Sequence, residues 1–495
     1  MAAAEDSFER RLSTLGLVAG PLACAALWIL NPGDHPPEAR RLLGILALAV
    51  CYWMTEAIPL PATALLASAL AIVSGVAPAR AVLAPYADPV IFLFIGSFLL
   101  AEAFSLHGLD RMVATALLHH PRFTRSTTGL LSAVGLTSAA ISTVLSNTAT
   151  AALMTPVARA AAVQRSGGDA AAARHRPWVS GILLIVAYGA SVGGMATIIG
   201  TPPNLLVAGF IERLAGVKVS FTAWLLFGIP ISMALLAASM LMTRSILGGE
   251  ALAGRAEADP GAAGGAGPAS KAGKRWTIAA CVLALLLWTL PAVAGLSLGP
   301  DSPVARRLAE RLPEAGVALL CASLLFVAPV SWKRREFALT WQQGRQVNWG
   351  IILLFGGGLS LGTLAEQTGL ARWAGEWIRE TGLASTPAGL LALCVGVTIL
   401  VSEFASNTAA ATLLVPVAIA AAQSLGFDPV RPALGVGLAA TCGFIFPVST
   451  PPNAIVFGTG MVPLRRMIRV GVVLDVISFL VVWLGLLALT PLLPH

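Results

Sequence analysis

Apolar residues run along this chain in stretches of about 17–25, the length an α-helix needs to cross a hydrocarbon core of ~30 Å. Eleven such stretches can be marked, at 13–31, 41–57, 60–78, 89–107, 178–210, 222–246, 277–296, 315–330, 349–367, 432–460 and 469–491. Amphipathic periodicity is a poor guide inside them, because helices bathed in lipid are apolar on most faces. The pattern predicts an all-α polytopic membrane protein.

Two further apolar stretches behave differently. Between Arg125 and Arg159 lie 33 uncharged residues, about 50 Å as one helix. That is too long for one crossing and too short for two crossings with a turn. A re-entrant hairpin over 126–163 fits, with its tip at Ser146-Asn147-Thr148, three residues that favour caps and turns over helix interiors. A similar stretch surrounds Ser406-Asn407-Thr408. Its length alone permits two crossings, so a hairpin there, over 384–424, rests on a repeat.

That repeat has three blocks in the same order. The segment Ser142–Ala158 matches Ser402–Ala418 at an offset of 260. Upstream, Gly108-Leu109 with Arg111 matches Gly369-Leu370 with Arg372, and downstream Thr201-Pro-Pro-Asn204 matches Thr450-Pro-Pro-Asn453 at an offset of 249. The spans at 89–107 and 349–367 lie five crossings apart, so the halves run in opposite directions, as inverted repeats do in many secondary transporters. The expected division is an N-terminal helix and loop over 1–40, a first repeat over 41–247, a Gly/Ala-rich cytoplasmic linker over 248–275, and a second repeat over 276–495.

Composition supports lipid as the solvent. Only 11% of the 495 residues are charged, against about 25% in soluble domains. The formal charge of +8 reads as cytoplasmic Lys and Arg that orient the spans rather than a nucleic-acid surface. With a cytoplasmic N-terminus the inner loops hold 21 Lys and Arg and the outer loops 11, which places the C-terminus outside and the protein in a cell membrane (the inner membrane, in a bacterium). Arg10 and Arg11 before the apolar run Leu15–Leu30 imitate a signal peptide, but the run's length points to an uncleaved first helix. The six cysteines lie in or beside apolar segments without Cys-x-x-Cys spacing, so they read as small buried hydrophobes.

Chemistry concentrates where helical structure breaks at membrane depth. Consecutive prolines at 202–203 and 451–452 remove backbone donors and free carbonyls such as those of Gly200 and Ser449. Lipid tolerates this only where the backbone lines a cavity or coordinates something. Freed carbonyls with Asn and Ser oxygens suit a hard monovalent cation such as Na⁺, and the helix N-termini that follow suit an anion. Asn147, Thr148, Asn407 and Thr408 can donate to carboxylate oxygens, and no Lys or Arg lies within the tips. Glu403 is the one acid in either hairpin stretch; it carries a proton or cation, or serves a polar packing partner. A rival enzymatic reading, from Gly189-Ala190-Ser191-Val192-Gly193, lacks a histidine in reach. A channel is disfavoured by repeats that suit alternating access.

The paired Ser-Asn-Thr tips and paired Thr-Pro-Pro-Asn breaks resemble the divalent anion–sodium symporter family, whose members carry di- and tricarboxylates and, in some branches, sulfate. The resemblance covers nearly the whole chain after the first helix. It implies a homodimer with eleven transmembrane helices and two opposed re-entrant hairpins per chain, in which a transport domain, interleaved in sequence with a fixed scaffold, moves as an elevator. It also implies one sodium site from Ser142, Ser146, Asn147 and Gly200, and a second from Ser402, Ala405, Asn407 and Ser449. Substrate carboxylates would meet Asn147, Thr148, Asn407, Thr408, Thr201 and Thr450, with Pro202 and Pro451 beside them. Ser402 stands where Thr is common in the family and Ser449 where Ala is common. The implied function is sodium-coupled uptake of a C4 dicarboxylate such as succinate or malate, with no organic cofactor; exchange, citrate, sulfate and proton coupling are the alternatives.

Overall fold

Prolines and small polar side chains set where helices begin. The computed structural model describes residues 2–30, 36–110, 112, 126–166, 173, 176–246, 270–299, 302–382 and 384–490. In the first half these form α1 (Ala2–Leu30), α2 (Pro37–Thr55), α3 (Leu60–Val73), α4 (Ala79–Leu83), α5 (Pro89–Leu106), α6 (Thr127–Ser142), α7 (Asn147–Arg165), α8 (Pro177–Met195), α9 (Pro202–Phe210) and α10 (Phe221–Ile246). The second half comprises α11 (Lys271–Leu298), α12 (Pro303–Arg311), α13 (Glu314–Val327), α14 (Trp341–Gly344), α15 (Trp349–Gln367), α16 (Leu370–Glu380) and α17 (Pro387–Ser402). It continues with α18 (Asn407–Ser424), α19 (Val430–Ala439), α20 (Pro451–Gly458) and α21 (Leu464–Leu489). A two-stranded antiparallel ribbon, Pro329–Ser331 with Glu336–Phe337, joins α13 to α14.

Eight spans among the described residues are long and apolar enough to cross a membrane, so the chain is a multi-pass membrane protein. The difference from eleven sequence stretches has local causes. Helices α3 and α13 have 14 residues each, about 21 Å at 1.5 Å per residue. The stretches at 178–210 and 432–460 are each divided by a Pro-Pro break, which leaves one span, Pro177–Met195, in the first and none in the second. The stretch at 41–57 forms α2, whose first turns carry Glu38, Arg40 and Arg41. Conversely, α18, read from sequence as a hairpin limb, is itself long and apolar enough. Linker residues 248–269, Arg111, Arg125 and the histidines His35, His119, His120, His175 and His495 lie outside the described residues; the last part of the linker, from Lys271, already belongs to α11.

Contacts between helices follow the sequence repeat and cross between its halves. Helix α5 packs on α13, and α3 on α15. The short helix after each Pro-Pro break crosses as well, α9 lying against α18 and α20 against α7. Small residues permit the closest approaches, the expected way for helices to associate in lipid. A methyl on Gly96 would lie 2.6 Å from the Ala318 carbonyl carbon, and one on Gly193 would lie 2.4 Å from the Ala139 Cα. Helix α8 is buried from Trp178 to Met195, so it forms the centre against which α6, α7, α10 and α20 assemble. Lys218 and Glu314 form an ion pair at 2.6 Å between the halves, a half-exposed contact of small energetic weight.

Candidate functional site

Each of the two stretches expected to fold as a hairpin is a helix–turn–helix unit. Their first limbs begin at hydroxyl caps 260 residues apart: the side chains of Ser126 and Thr386 accept the backbone N–H groups of Gly129 and Gly389. Each first limb has 16 residues, and four residues then turn the chain into α7 or α18. Ser146 and Ser406 cap those helices by accepting N–H bonds from Ala149 and Ala409, each at 3.2 Å. Inside each tip a hydroxyl meets an amide oxygen. Ser142 Oγ donates to Asn147 Oδ1 at 2.9 Å, and Ser402 Oγ stands 3.2 Å from Asn407 Oδ1 while donating to the Ala440 carbonyl at 2.6 Å.

The two breaks are built alike. Helix α8 stops at Met195 and α9 opens at Pro202; α19 stops at Ala439 and α20 opens at Pro451. Carbonyls freed between them are gathered by the Asn of each Thr-Pro-Pro-Asn motif. Asn204 Nδ2 donates to Gly194 O at 2.9 Å and Thr197 O at 2.8 Å; Asn453 Nδ2 donates to Gly443 O and Phe446 O, each at 3.0 Å. Replacing either Asn by Ala takes the side-chain donor from one buried carbonyl, Gly194 O or Gly443 O, at about 1–3 kcal/mol, and from one half-buried carbonyl, Thr197 O or Phe446 O, which keeps a backbone N–H at 3.3 Å. Asn204→Ala and Asn453→Ala are each expected to lower the melting temperature in detergent by about 1–3 °C, followed by intrinsic tryptophan fluorescence.

Tip and break meet around a glycine in each half. A methyl at Gly194 would lie 2.3 Å from Asn147 Oδ1 and 3.3 Å from the Gly200 carbonyl, and one at Gly200 would lie 3.0 Å from Ser142 O. Ser142, Asn147 and Gly200 therefore converge. In the second half a methyl at Gly443 would lie 3.1 Å from Ser449 Cβ and 3.2–3.4 Å from Ser402 O and Oγ, so Ser402, Asn407 and Ser449 converge in the same way. Ala405 is buried in that tip. Sequence reading missed Gly194 and Gly443, although their spacing of 249 is the offset of the motifs that follow them.

The remaining expected residues lie at graded depth. Thr201 and Thr450 are buried helix caps, Asn147 is buried, and Asn407 and Thr408 are half-buried. Ser146, Thr148 and Pro451 are exposed and Pro202 is half-buried. Among the described residues no hydrogen bond joins one tip to the other; the halves connect instead through α9–α18 and α20–α7 packing. Tyr188 of α8 adds a cross-half contact, its hydroxyl donating to Phe444 O at 3.3 Å.

Chemically, each half offers hydroxyl, amide and carbonyl oxygens in one small volume, beside helix N-termini. Such oxygen sets suit a hard cation, and the N-termini suit an anion. Glu403 is 2% exposed in the second tip, and Asp475 of α21, 6% exposed, lies behind it against Phe444. Asp475 escaped sequence reading because one acid in a long apolar span has no spacing partner. No group of three or more His, Cys, Asp or Glu gathers among the described residues. The Gly189–Gly193 segment is inside buried α8, and His107 is occupied with Ala338 O at 2.7 Å. A cavity of about 230 Å³ lined by Leu43, Trp53, Leu361 and Pro416 is apolar and contains no tip residue, its nearest lining residue being Thr412, one turn into α18.

The whole chain has relatives. A family profile described as "Sodium:sulfate symporter transmembrane region" matches residues 15–492. The sodium-dependent dicarboxylate transporter SdcS of Staphylococcus saprophyticus subsp. saprophyticus is 29% identical, over 96% of this chain and 91% of its own length. An uncharacterized transporter of Haemophilus influenzae is 33% identical over 92% of each chain. Among solved structures, the YdaH transporter of Alcanivorax borkumensis superposes with a TM-score of 0.56 at 16% identity, covering 82% of this chain and 86% of that one. That likeness concerns the fold alone.

Proposed function

This chain belongs to the sodium:sulfate symporter family, and we propose that it couples inward movement of Na⁺ to uptake of a C4 dicarboxylate such as succinate or malate. The observation that carries the proposal is the repeated oxygen cage. In each half a buried tip Ser meets the tip Asn beside a Pro-Pro break, with the Gly200 carbonyl next to Asn147 in the first half and Ser449 next to Ser402 in the second. The SdcS relatives, named for sodium-dependent dicarboxylate transport, support the same ion and substrate class.

In this reading Ser142, Ser146, Asn147 and the Gly200 carbonyl hold one Na⁺; Ser402, Ala405, Asn407 and the Ser449 carbonyl hold another. Thr148 and Thr408 present hydroxyls at the tips and, with the Asn amides, Thr201 and Thr450, bind the carboxylates beside Pro202 and Pro451. The bound cations offset the charge of a dianion, which alone is costly to carry through a low-dielectric region. Hairpins over 126–163 and 384–424 are re-entrant, within inverted repeats at 41–247 and 276–495 that follow the N-terminal segment 1–40 and flank the linker 248–275. The full architecture is eleven crossings with the N-terminus cytoplasmic and the C-terminus outside. The working unit is a homodimer in the cell membrane, and the loaded transport domain moves against the scaffold as an elevator.

The test is uptake of radiolabelled succinate into proteoliposomes. An inward Na⁺ gradient is expected to drive accumulation, with malate competing and sulfate or citrate competing weakly. Accumulation driven equally by internal dicarboxylate without Na⁺ identifies an exchanger, drive by H⁺ identifies proton coupling, and preferential inhibition by sulfate reassigns the substrate. Any of these outcomes overturns the reading.

A further inference from the structure

The two halves fasten break to tip by different chemistry. In the first half, Thr197 Oγ1 of the break donates to the carbonyl of Thr143, the residue after Ser142, at 2.6 Å. At the corresponding positions of the second half stand Phe446 and Glu403. Phenylalanine cannot donate, so the bond has to come from elsewhere. It comes from Ser449, whose one hydroxyl proton is shared between the Glu403 carbonyl at 3.2 Å and the nearer Glu403 Oε2. Gly200, the counterpart of Ser449, has no side chain to offer. A lost hydroxyl at 446 and a gained hydroxyl at 449 are therefore one compensated exchange.

Glu403 extends this fastening. Its Oε1 accepts the Ile445 N–H at 3.1 Å, and its Oε2 accepts the Phe446 N–H at 3.2 Å and the Ser449 hydroxyl at 2.5 Å. The Phe446 N–H also reaches Ser449 Oγ at 3.2 Å. Three donors converging on one buried carboxyl group make a strong anchor. All three come from the irregular segment that ends in the Ser449 carbonyl, whereas Thr143 in the first half sends its own hydroxyl back to Ala140 O at 2.7 Å.

We propose that Glu403 and Ser449 act together as positioning residues: the Glu403 carboxylate and Ser449 hydroxyl strap the second break to its tip and so aim the Ser449 carbonyl at the second cation. This assignment rests on the sodium-coupled reading above. It gives Glu403 and Ser449, both unexplained by the repeat, a single purpose. It also makes the second cation's affinity depend on a side-chain network that the first cation's lacks.

The experiment measures the Na⁺ dependence of succinate uptake in proteoliposomes for wild type, Glu403→Gln, Ser449→Ala and Phe446→Thr/Ser449→Ala. Glu403→Gln converts an acceptor of three bonds into a group that must turn an N–H₂ toward other donors, and a tenfold or greater rise in the half-saturating Na⁺ concentration is expected, about 1.4 kcal/mol. Ser449→Ala is expected to raise it about threefold to fivefold, since the carbonyl stays but loses its strap. Phe446→Thr supplies the hydroxyl of the first half's solution and is expected to restore most of that loss. The succinate KM at saturating Na⁺ is expected to stay within about twofold, which a general loss of folding would not produce. If Glu403→Gln fails to fold, the Ser449→Ala loss and its rescue by Phe446→Thr decide the matter alone. Sodium-dependent wild type with unshifted variants, or no rescue, overturns the strap while leaving the coupling intact. Sodium-independent wild type overturns both.

Discussion

Asn147→Ala is expected to reduce Na⁺-driven succinate uptake at least a hundredfold, with the protein still folded and extractable. Two losses combine at this residue. Its Oδ1 meets the Ser142 hydroxyl at 2.9 Å and lies beside the Gly200 carbonyl, so the first cation loses a ligand. Its Nδ2 is the amide donor proposed for a substrate carboxylate. Hydrogen bonds to charged groups contribute about 1.5–3 kcal/mol each, and losing two corresponds to a factor of roughly a hundred or more. Asn407→Ala is expected to have the same effect through the second cage. Asn147→Asp separates the two roles, since the carboxylate keeps an oxygen for Na⁺ but repels a dianion. It is expected to abolish uptake while preserving Na⁺-dependent protection against thermal unfolding. Normal transport by both alanine variants would falsify the site.

What sequence shows about this protein depends on whether a residue's role repeats. The tips and Thr-Pro-Pro-Asn breaks were legible because small polar residues and prolines are costly inside lipid-facing helices and appear twice in the same order. The structure places Ser142 with Asn147, and Ser402 with Asn407, as that order implies. Helix count was less legible. Apolar length does not reveal that α8 and α19 stop and restart, or that α3 and α13 have only 14 residues each. Glu403 and Ser449 appeared as separate departures from symmetry, because their hydrogen bond spans 46 residues and has no counterpart in the first half. Asp475 was invisible for the same reason. A contact made once, between distant positions, leaves no periodic trace.

Gly194 and Gly443 provide a sharper test, because equivalent substitutions there are expected to have unequal effects. The close approach of tip to break requires the absence of a side chain at both positions. At Gly194 an added methyl stands 2.3 Å from Asn147 Oδ1, far inside van der Waals contact. The side-chain amide is the part that can yield, so the fold of Gly194→Ala is expected to survive while the first cation cage opens. Half-saturating Na⁺ should rise at least thirtyfold, equivalent to about 2 kcal/mol, with transport scarcely measurable in physiological salt. At Gly443 the nearest atoms lie at 3.1–3.4 Å and belong to Ser449 and Ser402. A shift of a few tenths of an ångström accommodates the methyl, and Gly443→Ala is expected to raise half-saturating Na⁺ by about threefold or less. Sodium titrations of uptake, paired with melting curves in 0 and saturating Na⁺, measure both. Equal effects at the two glycines would mean that neither methyl acts through the cage, since only the first meets a proposed ligand atom head-on.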